Sequence, residues 1–353
     1  MQRIVVVAAL VALGCAGELS GDAPLDASAS VPDAGEPGID AALPAIDAGA
    51  PAEPSVSIES PEHGARLVRD AIVDEAWTAR VEIVVRAEGV DHVELVTGGT
   101  TLATLRAPVW SAFAHLTTDG EHVIGAVGRD AAGAELARDE ITITIAPPAD
   151  TSCHAMLDAL GMDWSPIGSL RGVADPVRVQ PLINGVRYRY VSHAEPQAMS
   201  MDCELAPRLF RLSELVRPYG IDEVIHIGIY NYRCIGGGDP DSGTCTPSQH
   251  AYARAIDLHA FGLEGSDETY STEDDFVITR RADDCPMMSS SEPDRVLKEI
   301  ACALWAEGIF QIVLTPNYND AHRNHYHVDL TAGSMYLGAG IEGVDPDVDG
   351  LGH

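Results

Sequence analysis

Six of the seven cysteines, Cys153, Cys203, Cys234, Cys245, Cys285 and Cys302, lie beyond residue 150, and the seventh, Cys15, closes an apolar N-terminal run. An even number of cysteines in an exported chain favours disulfides. The C-terminal half is therefore the stapled one. Six cysteines leave most pairings open, but Cys234 and Cys245 bracket Gly236-Gly237-Gly238, and the ten residues between them close easily. These two are expected to pair.

The export signal is read from the first residues. Met1, Gln2 and Arg3 precede an apolar run from Ile4 to Leu13, followed by Gly14 and Cys15. One positive charge before a run this short makes a signal peptide, too short to span a bilayer. Ending it on Leu13-Gly14-Cys15 reads as a lipoprotein signal over residues 1–15, with Ala12 standing where such signals usually carry leucine. Cys15 is then the expected lipidation site. Localisation is expected to be the cell envelope, on its periplasmic or outer-surface face, with membrane contact through the lipid anchor only.

Residues 16–54 are Ala, Asp, Pro, Gly, Ser and Glu with few large apolar side chains, and they cannot bury enough surface to offset ordering entropy. A disordered tether is expected there. From 55 to 146 short β-branched runs such as Val81-Glu82-Ile83-Val84-Val85 and Ile141-Thr142-Ile143-Thr144-Ile145 alternate with turn signals such as Gly98-Gly99. That pattern predicts an all-β sandwich similar to bacterial immunoglobulin-like modules, with Trp110 in its core. Pro147-Pro148 marks a boundary, after which helical and strand patterns mix through a domain spanning 150–335. Leu205, Leu209, Leu212 and Leu215 predict one helix and Val296–Phe310 a second. Residues 336–353 read as a tail. With 54 acidic against 22 basic residues and a formal charge of -32, the surface repels phosphate backbones, which argues against nucleic acid as a partner. Oligomeric state is left open.

Two segments carry chemistry. In Ser248-Gln249-His250-Ala251-Tyr252-Ala253-Arg254-Ala255-Ile256-Asp257-Leu258-His259, apolar Ile256 and Leu258 alternate with Asp257 and His259, the period of a strand with one buried face. Asp257 then points into a site, and His250 on the preceding loop can fold back to share one metal ion. In His322-Arg323-Asn324-His325-Tyr326-His327-Val328-Asp329-Leu330, a strand puts His325, His327 and Asp329 on one face. Two imidazoles and a carboxylate in that order suit a metal ligand, an acid/base group and a supporting partner.

Ser-x-His-x6-Asp followed by a distant His-x-His resembles the zinc signature of the D-alanyl-D-alanine carboxypeptidases, dipeptidases and murein endopeptidases. More specifically, the chain resembles the extensin-like C-terminal domain family. The matching pieces are Cys203-Glu204-Leu205-Ala206, Tyr232-Arg233-Cys234, Ser248 to Asp257, Ala301-Cys302 and Leu314 to His322. The resemblance implies a multidomain chain in which the immunoglobulin-like sandwich precedes an α+β zinc-peptidase-like domain with a small antiparallel sheet. It further implies Zn2+ held by His250, Asp257 and His327, His325 as the acid/base group and Arg233 stabilising an oxyanion. Ser248, His322 and Asp329 are auxiliary.

The expected activity is that of a zinc-dependent amidohydrolase or peptidase acting on peptidoglycan or another peptide substrate. A non-catalytic, zinc-stabilised envelope-binding lipoprotein is the alternative. Two departures from the family pattern bear on this. Ala253 replaces a usual glycine, and Asn324 stands three residues before His327, where the dipeptidase branch has a glutamate base. An insertion from 264 to 292, containing Cys285, has no evident place in the pattern.

Overall fold

A computed structural model of the chain describes residues 53–73, 75–278 and 285–338. The expected signal peptide with Cys15, the tether up to residue 52 and the tail from 339 lie outside the described residues. Two compact units form, one from residues up to Arg69 with Thr78–Pro147, the other from Asp70–Trp77 with Pro148 onward.

In the first unit, the pleat sorts side chains by alternation. Along the strand Ala76–Glu88, Ala79, Val81, Ile83 and Val85 are all buried, every second residue facing inward. This strand pairs antiparallel with Ser55–Ser60 on one side and Ser111–Leu116 on the other. A second, five-stranded sheet runs in the order Arg66–Val68, Glu135–Ala146, Gly120–Arg129, His92–Thr97 and Thr100–Leu105. Val93, Leu95, Ile124, Ile141, Ile143 and Ile145 from this sheet join the buried residues of the first in one apolar core. Trp110 packs partly buried against it. The unit is thus a two-sheet β-sandwich. The stretch expected to be continuous over 55–146 is interrupted by Asp70–Trp77, which belongs to the second unit. There Ile72 lies beside Leu160, Pro207 and Phe210, and Glu75 pairs with Arg208.

The second unit is built on an eight-stranded sheet, larger than the small sheet expected and mixed in direction. Its order is Leu182–Ile183, Val186–Tyr190, Ile221–Gly228, Ala255–Leu263, Tyr326–Asp329, Ile312–Leu314 and Tyr336–Gly338, with Thr269–Ser271 also paired to Ala255–Leu263. Val186–Tyr190 runs parallel to Ile221–Gly228, and Ile312–Leu314 runs parallel to Tyr336–Gly338. That last pair also moves the end of the domain beyond 335, because Tyr336–Gly338 is a sheet strand rather than tail.

Helix Leu205–Val216 buries Leu205, Leu209, Leu212 and Val216, one stripe at helical spacing. Helix Glu292–Ala306 begins four residues before the expected Val296. Ser291 caps it by accepting from the Asp294 backbone N–H, and Pro293 falls in the first turn, where its missing N–H forfeits no helical hydrogen bond. Both helices contribute to one core with Tyr188, Ile256, Leu258, Phe261, Tyr326 and Val328.

Three disulfides join Cys153 to Cys203, Cys234 to Cys245 and Cys285 to Cys302. The Cys234–Cys245 pairing is the one its glycine-rich loop predicts. Cys285–Cys302 ties the end of the 264–292 insertion to helix Glu292–Ala306.

Candidate metal centre

The site starts from a tight turn. Ser248 caps the short helical turn Gln249–Tyr252 through its hydroxyl, which accepts from the His250 N–H at 3.3 Å. Ala253 ends that turn in the left-handed region, with φ 52° and ψ 35°. Glycine would adopt this backbone more cheaply, which is the physical content of the Ala253 departure. The reversal allows the chain to enter the Ala255–Leu263 strand so that Asp257 comes back to His250 seven residues later.

Two adjacent antiparallel strands supply the rest. Asp257 and His327 are direct register partners. His250 Nε2 lies 3.1 Å from Asp257 Oδ1 and 3.2 Å from His327 Nδ1, and His327 Nδ1 lies 3.0 Å from Asp257 Oδ1. These three side chains form a compact group of potential metal donors. Donors sharing one tetrahedral zinc ion, with bonds of about 2.0 to 2.1 Å, sit roughly 3.3 Å apart, so the spacing fits.

The outward nitrogens explain which atoms face inward. His250 Nδ1 donates to the Ile229 carbonyl at 2.9 Å, and His327 Nε2 donates to Asp329 Oδ2 at 3.0 Å. In the neutral rings the lone pairs of His250 Nε2 and His327 Nδ1 must then both face the Asp257 carboxylate. Two lone pairs and an anion converging on one point repel unless a cation or a proton joins them.

Without a metal, a proton does so. Burial alone lowers the pKa of His327, but hydrogen bonds to Asp257 and Asp329 outweigh it and raise it to about 9. Burial alone raises the Asp257 carboxyl, yet the His250 and His327 rings beside it hold it well below the usual carboxylate range. This donor set fits zinc, with the carboxylate–histidine support of Asp329 behind it.

A second group, His154, Asp175 and Cys203, also lies close together. Its sulfur is bonded to Cys153, so it cannot serve as a thiolate ligand.

His325 sits beside the three donors, with Nε2 3.6 Å from Asp257 Oδ1. The expectation that it shares a strand face with His327 is corrected, because the strand starts only at Tyr326. The His325 N–H bonds the His322 carbonyl at 3.2 Å and closes a turn, so the ring reaches the site from a bend. Burial lowers the His325 pKa, more than the nearby Asp257 raises it. His322 packs its ring, tilted by 46°, 5.2 Å from that of His325 and donates from Nδ1 to Asn319 Oδ1 at 2.7 Å.

Arg233 lines the same cleft as His250 and Asp257, a cavity of about 510 Å³. Its carbonyl accepts from the Ser248 N–H at 3.1 Å, tying the Arg233 segment to the His250 turn, and its neighbour Cys234 is locked to Cys245. Among the described residues, no carboxylate besides Asp257 lines this cleft. In a chain with such an excess of acid, the cleft lining carries one carboxylate, Asp257, and one guanidinium, Arg233.

Tyr190, His193 and His226 also line it, and the sequence pattern does not single them out. They come from other strands and loops, and only the topology brings them in. His226 is buried with Nδ1 lacking a hydrogen-bond partner among the described residues, and burial lowers its pKa to about 4.

The sequence profile of one family, described as "Extensin-like protein C-terminus", matches residues 151–337, more than half of the chain and all of the site residues above. The chain belongs to the extensin-like protein C-terminus family. No curated protein matches it.

Among solved structures, the fibronectin(III)-like modules of Clostridium thermocellum CbhA align at 15% identity and a TM-score of 0.22, over 26% of this chain and 96% of that one. A Parabacteroides merdae beta-glucuronidase aligns at 21% identity and a TM-score of 0.21, over 36% of this chain and 16% of that one. Likenesses this weak carry no argument about the extensin-like domain or its site.

Proposed function

We propose that this extensin-like protein is a zinc-dependent amidohydrolase of the cell envelope, acting on the peptides of peptidoglycan, with an α+β zinc-peptidase-like catalytic domain. The observation that carries the reading is the convergence of His250 Nε2, Asp257 Oδ1 and His327 Nδ1 within 3.2 Å of one another, with both outward ring nitrogens already bonded. A zinc ion held there would polarise a substrate carbonyl and acidify water.

The chain's own residues supply the remaining functions. His325 Nε2 takes the proton of the attacking water and returns it to the leaving amine. Arg233, which lines the same cleft, would stabilise the negative charge that develops on the carbonyl oxygen. Asp329 holds His327 in the tautomer that leaves Nδ1 open, and Ser248 and His322 support the His250 turn and the His325 ring.

The three disulfides suit an oxidising compartment outside the cytosol. Acylation at Cys15 would then hold the protein at the membrane, with the 16–54 tether giving it reach to the wall and the immunoglobulin-like sandwich acting as a spacer. Asn324, standing where the related dipeptidases have a glutamate base, favours a second reading, a zinc-stabilised binding protein without catalysis.

Metal content of the purified protein and digestion of purified peptidoglycan, with the released peptides identified by mass spectrometry, test the proposal. Bound zinc with new peptide termini supports the enzyme. Bound zinc with intact peptidoglycan and retained wall binding supports the second reading. Absence of zinc sinks both.

A further inference from the structure

Asn324 has a use other than that of the missing base. Its Oδ1 lies 2.9 Å from His325 Nδ1. An amide oxygen can only accept, so the imidazole proton must sit on Nδ1. The other nitrogen, Nε2, then carries the lone pair, and it is the one 3.6 Å from Asp257 Oδ1 at the edge of the metal group. With the amide turned the other way, its NH2 would donate to Nδ1 and force the proton onto Nε2. That N–H would point towards the cation the three donors are built to hold, an arrangement disfavoured by charge.

The geometry of Asn324 is itself over-determined. Its carbonyl accepts from His259 Nδ1 at 2.7 Å and from the Thr272 hydroxyl at 2.8 Å. The same hydroxyl is shared with the His259 carbonyl at 2.7 Å, and the Thr272 N–H bonds that carbonyl at 2.9 Å. Thr272 belongs to the 264–292 insertion and is fully buried. His259 belongs to the strand that carries Asp257. One face of the insertion therefore clamps the backbone of Asn324 to the metal strand, and the His325 N–H bond to the His322 carbonyl fixes the next residue. With the backbone fixed on both sides of the Asn324–His325 peptide, the Asn324 amide stays within reach of the His325 ring and bonds its Nδ1.

We propose that Asn324 is a positioning residue that holds the His325 proton on Nδ1, so that Nε2 faces the metal group as a proton acceptor, and that Thr272 of the insertion holds Asn324 in place. The use of that acceptor in hydrolysis rests on the amidohydrolase reading; the tautomer itself does not.

The experiment reads the tautomer directly. The full chain is labelled with 15N at histidine, and long-range 15N–1H correlation spectra at neutral pH assign the His325 ring by its disappearance in His325→Gln. The expected result is an Nδ1–H pattern for His325 in the unsubstituted protein and in Asn324→Asp, whose carboxylate can only accept. Asn324→Ala is expected to lose that pattern in favour of Nε2–H or a mixture, with zinc content unchanged. Thr272→Val is expected to move in the same direction to a smaller extent.

An Nε2–H pattern in the unsubstituted protein overturns the proposal, as does the same Nδ1–H pattern in Asn324→Ala. On peptidoglycan, Asn324→Ala is expected to lower kcat about tenfold or more with little change in KM, and Asn324→Asp to recover most of it. A protein that shows the expected tautomers but hydrolyses nothing would retire the amidohydrolase reading and leave the role of Asn324 standing.

Discussion

Asp257 and His327 sit opposite each other on adjacent antiparallel strands, and the resulting 3.0 Å approach of Oδ1 to Nδ1 sets the centre of the site. Antiparallel register partners present their side chains on the same face of the sheet, so this pair needs only one further donor to enclose an ion. His250 supplies it from the turn. Removing any one of the three breaks the set: His250→Ala, Asp257→Asn and His327→Ala are each expected to reduce bound zinc to a small fraction of the unsubstituted level, measured by elemental analysis after dialysis.

His325 lies outside the donor group, and its substitution is expected to behave differently. His325→Ala should keep its zinc yet lose hydrolysis by about 10²-fold or more, since general acid–base groups contribute on that scale. Unchanged turnover of peptidoglycan would remove His325 from the mechanism. Loss of zinc would instead make it a ligand.

Zinc affinity should rise with pH. In the metal-free protein the His327 pKa is raised to about 9, so at neutral pH a proton occupies the position the metal needs. Binding must displace it, and affinity is expected to climb by about tenfold per pH unit until it levels near pH 9. The sign for metal-free stability is the opposite. A raised folded-state pKa stabilises the fold fully below the unfolded value of about 6.5, and that contribution is lost as the pH rises through about 9. Competition with a chromophoric chelator across about pH 6 to 8, below the raised pKa, measures the first effect; a flat affinity over that range contradicts the proton displacement.

Much of this is legible locally. The leucine spacing marks helix Leu205–Val216, the β-branched runs mark strands in the sandwich, and the Ile256–Leu258 alternation turns Asp257 toward the site. His-x6-Asp and His-x-His mark the candidate donors because a turn followed by a strand fixes their local directions. The partnership of Asp257 with His327 is not legible in the same way, since the two lie on strands far apart in the chain and register between distant strands leaves no local period. The two parallel pairs of the central sheet escape for the same reason. At His325 the alternation misleads, because a turn hydrogen bond to His322 overrides a two-residue period one position before the strand begins. Asn324 reads in sequence as a missing base, and only the bonds from His259 and Thr272 to its carbonyl show what it touches.

The disulfide between Cys234 and Cys245, eleven positions apart, closes a short loop next to Arg233. On the chain-entropy account, removing such a cross-link costs about 2 to 3 kcal/mol. The paired substitution Cys234→Ser with Cys245→Ser is expected to lower stability by that amount in denaturant titrations. Because His250, Asp257 and His327 all lie outside the loop this disulfide closes, zinc should stay bound while hydrolysis falls. A double variant as stable and active as the unsubstituted protein would show that the loop holds its shape without the bond.

His226 provides a test that does not depend on catalysis. It is 6% exposed, its Nδ1 has no hydrogen-bond partner among the described residues, and burial lowers its folded-state pKa to about 4 against about 6.5 in the unfolded chain. The unfolded state therefore takes up a proton that the folded state refuses. For a depressed pKa the stability is fully present above the unfolded value and is lost as the pH falls from about 6.5 towards 4. The full shift corresponds to about 3 kcal/mol at the acid end. Metal-free protein and metal-free His226→Gln, compared by urea titration at about pH 7 and about pH 4.5, read this residue's contribution with no zinc bound. The unsubstituted protein is expected to lose more stability between the two pH values than the variant does, by a few kcal/mol at most. Equal losses would mean that His226 reaches a proton partner in the folded state, and that the cleft wall around Tyr190 and His193 opens to water.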